Sequence, residues 1–110
     1  MEVILERDGY DCVWCRRPLT MDSSTTDHLI PKLKGGPSWI ENEVASCAKC
    51  NKNRGHTRPL DWLEQCEQVW PSNRDAIERG LQSLSAAIQE RGGQRKARPY
   101  LQHQLKQLER

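Results

Sequence analysis

Four of the five cysteines in this 110-residue chain form two C-x2-C pairs, a pattern typical of metal binding. The pairs are Cys12/Cys15 and Cys47/Cys50. A short turn points both sulfurs of a pair at one ion, and Zn²⁺ accepts four thiolates in a tetrahedron at about 2.3 Å. The sequence therefore predicts one structural zinc site that clamps the loop between the pairs. Closing that loop with a metal ion would couple folding to metal binding.

The compartment bears on how these cysteines are interpreted. A single C-x-x-C can be a redox motif, but two such pairs favour a metal site. The N-terminal segment Met1–Arg7 lacks an apolar signal-peptide region, and no run of residues is long and apolar enough to span a membrane. We therefore expect an intracellular, cytoplasmic protein, in which paired cysteines stay reduced. Cys66 belongs to neither pair and is predicted to be a core residue of a helix.

A second set of chemically useful residues lies between and beside the cysteine pairs. Asp27 and His28 are adjacent in a β-prone segment, so their side chains point to opposite faces of a strand. One of them can bind a metal ion while the other addresses a substrate. Asn51 directly follows Cys50, so a bound zinc ion would fix the position of its backbone. Its carboxamide oxygen suits Mg²⁺ or Mn²⁺, although Asn is also a common helix N-cap.

Taken in order, these residues resemble the HNH endonuclease family, one of the ββα-metal nucleases, in its subgroup with a four-cysteine zinc site. The resemblance is carried by Cys12-x2-Cys15, Asp27-His28-Leu29-Ile30-Pro31, Lys34-Gly35-Gly36, Asn42, and Cys47-x2-Cys50-Asn51-Lys52-Asn53-Arg54-Gly55. It covers residues 7–56. The spacings of 14 residues from His28 to Asn42 and nine from Asn42 to Asn51 are also similar to those in the HNH domain of RNA-guided CRISPR nucleases.

The resemblance implies a role for each inner residue. His28 matches the general base that activates the attacking water, and Asp27 matches the carboxylate ligand of a single catalytic metal ion. Asn42 matches a central asparagine that holds the loop and helps to orient the base. Asn51 stands where other members have a second histidine, and would also bind the catalytic ion. The implied activity is hydrolysis of DNA phosphodiester bonds, with Mg²⁺ or Mn²⁺ as the expected ion and Ni²⁺ or Zn²⁺ as alternatives.

Charge is distributed unevenly along the chain. Residues 31–58 contain six Lys and Arg residues against two Glu residues, while the whole chain has a net charge of only +2. A local cationic surface near the inner residues fits a DNA backbone as partner. Taken alone, these charges favour ordinary solvated side chains. The candidate phosphate contacts are Lys32, Lys34, Lys52 and Arg54, and His56 is interpreted as a phosphate contact or a surface residue rather than a metal ligand.

The remaining pattern predicts the elements that position these residues. We expect a short helix at 2–8, strands at 25–30 and 43–46, and a short helix from Cys50 to a C-terminal cap at Gly55. Apolar stripes predict three later helices, around 60–70, from a capping box at Ser72–Asp75 to Gly92, and from Pro99 onward. The predicted fold is α+β, with a small zinc-stapled ββα-metal (HNH) core at 1–58. A mostly α-helical C-terminal extension at 59–110 packs on this core or trails from it.

Two other functions stay open from the sequence. A zinc-binding module without catalytic activity, which binds DNA or a protein partner, would carry the same cysteines. The presence of Asp27, His28, Asn42 and Asn51 together argues against it. The helical extension could instead be an arm for protein interaction or dimerisation, although packing within the chain explains its stripes equally well. The oligomeric state is therefore open, with a dimer or a larger complex as alternatives, and a bacterial or phage origin would fit.

Overall fold

A computed structural model describes residues 1–109 of the chain. It contains a two-stranded sheet, with one helix before the strands in sequence and four helices after them. The elements are α1 Glu2–Arg7, β1 Ser24–His28, β2 Glu43–Cys47, α2 Ala48–Arg54, α3 Pro59–Val69, α4 Arg74–Arg91 and α5 Ala97–Leu108. Two 3-10 turns, Lys32–Lys34 and Ile40–Asn42, lie in the loop between the strands. The order β1, β2, α2 followed by helices confirms the predicted α+β fold with a ββα core.

The two strands pair antiparallel, with Ser24 opposite Cys47 and His28 opposite Glu43. The β-branched threonines of β1 favour its extended backbone. β1 ends at His28, two residues earlier than predicted, because the next amides do not bond to β2. The amide of Leu29 donates to the carbonyl of Asn42 (2.8 Å), and that of Ile30 donates to the Asn42 side chain (2.9 Å). The chain therefore turns away from the sheet directly after His28.

Apolar residues of the helices and of the loop after β1 form one buried cluster. Most residues of the predicted helical stripes are buried, namely Leu60, Leu63 and Cys66 of α3, Ile77, Leu81, Leu84 and Ile88 of α4, and Leu101 of α5. The other predicted stripe residues, Trp70, Leu105 and Leu108, are partly buried and pack against the same cluster. Leu29 and Ile30 belong to the same cluster and are fully buried. Burying one Leu or Ile side chain stabilises a fold by about 1.5–3 kcal/mol. The helices therefore stabilise the segment that follows His28. The division of the chain into a core at 1–58 and an extension at 59–110 stays a prediction.

Helix boundaries follow the sequence signals in part. Gly55 ends α2 as predicted, at a φ of 54° that favours glycine. The predicted capping box of α4 is wrong, because α4 begins after Asn73 and makes no side-chain cap bond. The hydroxyl of Ser72 donates instead to Oε1 of Glu67, at 2.9 Å. Across residues 1–109, none of the helices has the length and apolar character needed to cross a membrane.

Candidate active site

The four paired cysteines come together in one buried cluster. Their Sγ atoms all lie within 4.8 Å of one another, and the Cys15 and Cys47 sulfurs are 3.8 Å apart. A tetrahedral Zn²⁺ with Zn–S bonds of about 2.3 Å places its sulfurs about 3.8 Å apart. The donor set and its spacing therefore fit a structural metal ion. The clustering predicted from the two C-x2-C pairs is confirmed, and zinc as the ion stays a prediction.

The thiols of this cluster also need a cation in order to ionise together. The neighbouring thiol of Cys50 lowers the pKa of Cys12, and the thiol of Cys12 in turn raises the pKa of Cys50. Burial raises the pKa of Cys15 to about 11. Without a cation, the thiols of Cys15 and Cys50 therefore resist ionisation. A divalent cation would allow all four to ionise and would release protons as it binds.

The cysteine cluster also sets the start of α2. Cys47 is the N-cap residue of α2, and its Sγ accepts a hydrogen bond from the backbone N–H of Cys50 at 3.4 Å. Asn51 therefore lies inside the helix, so its alternative assignment as a helix N-cap is wrong. The first cysteine pair is bonded to β2, the strand that ends at Cys47, since the amide of Val13 donates to the carbonyl of Ala45 at 3.0 Å.

A cleft of about 310 Å³ brings three of the four inner residues together. Asp27 and His28 reach it from the end of β1, and Asn51 reaches it from α2. The other residues that line it are Thr26, Pro31, Lys32, Leu33, Gly55 and His56. A carboxylate, an imidazole and a carboxamide thus share one opening with a lysine.

Asp27 is held by partners on three sides. Its Oδ1 accepts the backbone N–H of His28 (2.8 Å) and pairs with Nη1 of Arg54 (3.0 Å). Its Oδ2 accepts the indole N–H of Trp14 at 3.0 Å. A carboxylate oxygen has two lone-pair directions, so Oδ2 keeps one for a further ligand. Asp27 is 7% exposed and lines the cleft, which fits one metal ligand from this side chain.

Asn51 presents its carbonyl oxygen as the free end of the side chain. Its Nδ2 donates to Oγ1 of Thr25 (3.0 Å) and to the backbone carbonyl of Thr26 (3.2 Å). A backbone carbonyl can only accept, so this contact fixes which end of the amide is nitrogen. Oδ1 makes no hydrogen bond within residues 1–109 and is a suitable oxygen donor for Mg²⁺ or Mn²⁺. Asp27 and Asn51 therefore fit a hard divalent ion.

His28 has two ring nitrogens in different environments. Nε2 is buried and makes no hydrogen bond to any residue from 1 to 109. Nδ1 also has no protein partner in that range, but it is not fully buried and so has access to solvent. Burial lowers the pKa of His28, and the carboxylate of Glu43 opposes this effect. The lowered pKa favours the neutral ring, and Nδ1 is the ring nitrogen that solvent can reach.

Asn42 is completely buried and lies behind the cleft rather than in it. Its Oδ1 accepts the N–H of Ile30, while its Nδ2 donates to the carbonyls of Ile30 (3.0 Å) and Pro37 (2.9 Å). The loop passes so closely here that a Cβ on Gly36 would lie 1.8 Å from the Ile30 carbonyl oxygen and 2.9 Å from Nδ2 of Asn42. Asn42 thus holds the loop after His28 closed and does not itself line the cleft.

The four candidate phosphate contacts divide into two groups. Lys32, Lys34 and Lys52 are exposed, and Lys32 lines the cleft. Arg54 does not fit the predicted role of phosphate contact. Its side chain is 0% exposed and cannot reach a phosphate at the surface. Its guanidinium donates to the carbonyls of His28, Leu29 and Thr57, pairs with Asp27, and lies 4.9 Å from the ring centre of Trp14.

Trp14 and Arg54 are the positioning residues that the sequence analysis missed. The only sequence signal for Trp14 was its position between Cys12 and Cys15. The zinc interpretation accounted for that motif without giving Trp14 a role. Arg54 offered a better one, since residues three apart on a helix share a face and Arg54 lies three after Asn51. His56, set aside as a ligand, does line the cleft and is exposed.

Comparisons with known proteins point to the same part of the chain. A family model described as HNH endonuclease matches residues 12–66, half of the 110 residues. The match begins at the first paired cysteine and ends at Cys66 in α3. It therefore spans the cysteine cluster, both strands and all of the inner residues.

Two curated relatives and one solved structure extend this match. "CRISPR-associated endonuclease Cas9" of Corynebacterium diphtheriae is 32% identical over 76 residues, and that of Actinomyces naeslundii is 28% identical. Each alignment covers 68% of this chain but 7% of the relative, so the chain spans a small part of the curated relatives' length. The crystal structure of the Type II-C Cas9 enzyme from Actinomyces naeslundii aligns with a TM-score of 0.61 at 22% identity. That alignment covers 74% of this chain and 9% of the other, and it establishes a shared fold.

Proposed function

Because the chain belongs to the HNH endonuclease family, we propose that it hydrolyses phosphodiester bonds of DNA in a reaction that depends on a divalent metal ion. The observation that carries the proposal is the convergence of Asp27, His28 and Asn51 on one cleft. DNA as the substrate rests on the resemblance of the motif to this family. A module that had lost activity would have no need for an imidazole with an unpaired nitrogen in the same cleft as two oxygen ligands.

His28 acts as the general base through Nδ1. A neutral imidazole takes one proton from a water molecule, and the electron pair of the broken O–H bond attacks phosphorus. The P–O3′ bond then breaks, and the leaving O3′ takes a proton from solvent water, which gives a 5′-phosphate and a 3′-hydroxyl. The lowered pKa of His28 keeps the base unprotonated at neutral pH.

Asp27 and Asn51 would hold the catalytic ion through Oδ2 and Oδ1, the oxygen positions left available by their partners. Mg²⁺ or Mn²⁺ suits two oxygen donors with water completing the shell, and Ni²⁺ or Zn²⁺ are the alternatives. When bound, such an ion neutralises charge that develops on the phosphate and the leaving oxygen. Asn42, Arg54 and Trp14 keep the ligands in place, since each bonds to the segment 27–30.

Lys32, Lys34 and Lys52 hold flanking phosphates in this proposal, without Arg54. Each neutralised phosphate steepens the fall of affinity with salt by about 0.9 in the double-logarithmic plot for duplex DNA. Three contacts therefore predict a slope of about −2.7. Binding that does not change with salt would remove these lysines from the interface.

The test is cleavage of supercoiled plasmid by protein that retains its structural metal, with Mg²⁺, Mn²⁺, Ni²⁺ or Zn²⁺ added in turn. We expect metal-dependent cleavage by the wild type and by His103→Ala, an exposed histidine of α5 that serves as the matched control. His28→Ala should lose cleavage while it keeps its fold and its plasmid binding. Full activity in His28→Ala would refute the assigned base. Binding without cleavage under every metal would favour the non-catalytic zinc-binding module instead.

Product form and mass address the assembly that does the cutting. A single cleft cuts one strand at a time, so a monomer would give nicked circles, whereas a dimer could also give linear DNA. A light-scattering mass measured across a range of protein concentrations would separate these cases. The mass measurement is needed because the chain covers only 7% of the relative's length, so the relative does not indicate how this chain assembles.

A further inference from the structure

One polar atom beside the cleft lacks the partner that its burial calls for. Nε2 of His28 is buried and without a hydrogen bond among residues 1–109. Leaving a buried donor or acceptor unsatisfied costs about 1–3 kcal/mol. The carboxylate of Glu43 lies next to it, with Oε2 at 3.7 Å from Nε2. A hydrogen bond would need an approach to about 3.0 Å, which a change of side-chain torsion can supply.

The sheet places Glu43 at this nitrogen. His28 and Glu43 face each other in the antiparallel register, and side chains of such directly opposed residues are close neighbours. The backbone of Glu43 is anchored separately, because its carbonyl accepts a hydrogen bond from the guanidinium of Arg7. Its carboxylate has no other ion pair or hydrogen bond within residues 1–109. The two side chains are similarly shielded, at 20% and 23% exposure.

We propose that Glu43 is a positioning residue that accepts a hydrogen bond from Nε2–H of His28 and so leaves Nδ1 unprotonated toward the cleft. The proposal rests on the proposed function of His28 as the base, and adds a residue to that mechanism. An imidazole carries its proton on one nitrogen or the other, and the hydrogen bond to one of them selects the tautomer. When Nδ1 takes the proton from water, Nε2 keeps its own proton and the carboxylate then faces an imidazolium.

Two variants separate this role from a merely structural one. Glu43→Ala removes the acceptor, while its backbone contact with Arg7 remains. Glu43→Gln keeps an acceptor oxygen of the same reach and guards against loss of folding. Glu90→Ala, an exposed glutamate on α4, is the matched control. Partners that orient a functional histidine are typically worth about 10- to 100-fold in activity. We expect kcat to fall by about that factor in Glu43→Ala with KM unchanged, and Glu43→Gln to recover part of it.

Nitrogen NMR of the neutral His28 ring provides a readout that does not depend on cleavage. We expect the Nε2–H tautomer in the wild type, in Glu90→Ala and in Glu43→Gln, and a mixture of tautomers in Glu43→Ala. An unchanged tautomer together with wild-type kcat in Glu43→Ala would overturn the proposal while leaving the nuclease function intact. A tautomer shift in a chain that cleaves nothing would support the contact and count against the proposed function.

Discussion

Arg54→Ala is the substitution that tests most directly whether one buried side chain assembles the candidate active site. The guanidinium bonds to the carbonyls of Thr57 (2.9 Å), Leu29 (2.7 Å) and His28, and pairs with Asp27 at 3.0 Å. Truncation therefore leaves three carbonyls without this donor and a carboxylate of 9% side-chain exposure without its cation. Removing one partner of a buried ion pair costs about 3–5 kcal/mol.

That cost is large for a chain of this size, because folded domains have unfolding free energies of about 5–15 kcal/mol. The assay is urea unfolding of the metal-loaded protein, followed by tryptophan fluorescence. We expect Arg54→Ala to lose about 3–5 kcal/mol and Arg54→Lys to lose less, since lysine keeps the charge but not the planar set of donors. Lys52→Ala is the control, because Lys52 is exposed on the same helix, and it should change stability by less than about 0.5 kcal/mol.

The result that would refute this reasoning is a loss below about 1 kcal/mol in Arg54→Ala, within the range of a single neutral hydrogen bond. Asp27 would then be stable without its cation, which means that water reaches the carboxylate. A double-mutant cycle with Asp27→Asn isolates the pair, since the two losses should be strongly non-additive for side chains in direct contact.

Three other perturbations probe the metal cluster, the support of Asp27 and the base. Cys47→Ser removes a ligand and the cap of α2, so we expect loss of bound metal by elemental analysis and a lower melting temperature; an unchanged melting curve would contradict the structural site. Trp14→Phe keeps a ring beside Arg54 but loses the bond to Asp27, worth about 1.5–3 kcal/mol to a charged acceptor. Its control is Trp62→Phe, because the indole nitrogen of Trp62 has no hydrogen-bond partner among residues 1–109, and equal losses in the two variants would argue against the Asp27 contact. Since burial lowers the pKa of His28, protonation should switch off cleavage only as the pH falls through a value below the usual 6.5 or so. A pH–rate profile that still rises steeply above neutral pH would mean that another group limits the rate.

The parts of the site that were predictable from sequence are those with local geometry. Each C-x2-C pair places two sulfurs together through a single turn, and the meeting of the two pairs was predicted because Zn²⁺ accepts four thiolates. Apolar stripes at helical spacing predicted the buried faces of α3, α4 and α5 for the same reason. Predicting that Asp27, His28 and Asn51 meet in one cleft needed the family resemblance. Asn51 is far from the other two in the chain, and local structure does not bring such residues together.

Arg54 could not be placed by the same reasoning, because burial of a cation depends on partners far away in sequence. Asp27, His28 and Leu29 are 25 to 27 residues from Arg54. The helix face that Arg54 shares with Asn51 hints at proximity to the site, but nothing local distinguishes a buried arginine there from a solvated one. The end of β1 was misplaced for a related reason. Leu29 and Ile30 are β-prone, but their amides bond to Asn42, and no propensity encodes that contact.

The cysteine cluster and the cleft are linked through residues next to the cysteines, although no cysteine lines the cleft. Trp14 lies inside the first pair and bonds to Asp27, while Asn51 follows the last cysteine and bonds to Thr25 and Thr26 of β1. Each of the two pairs therefore fixes one of the two proposed ligands of the catalytic ion. Structural zinc sites contribute about 10–16 kcal/mol of binding free energy in small domains, comparable to the whole stability of such a fold. We therefore expect loss of an ion from the cysteine cluster to release Asp27 and Asn51 together, which would give this cluster a role in positioning both proposed ligands.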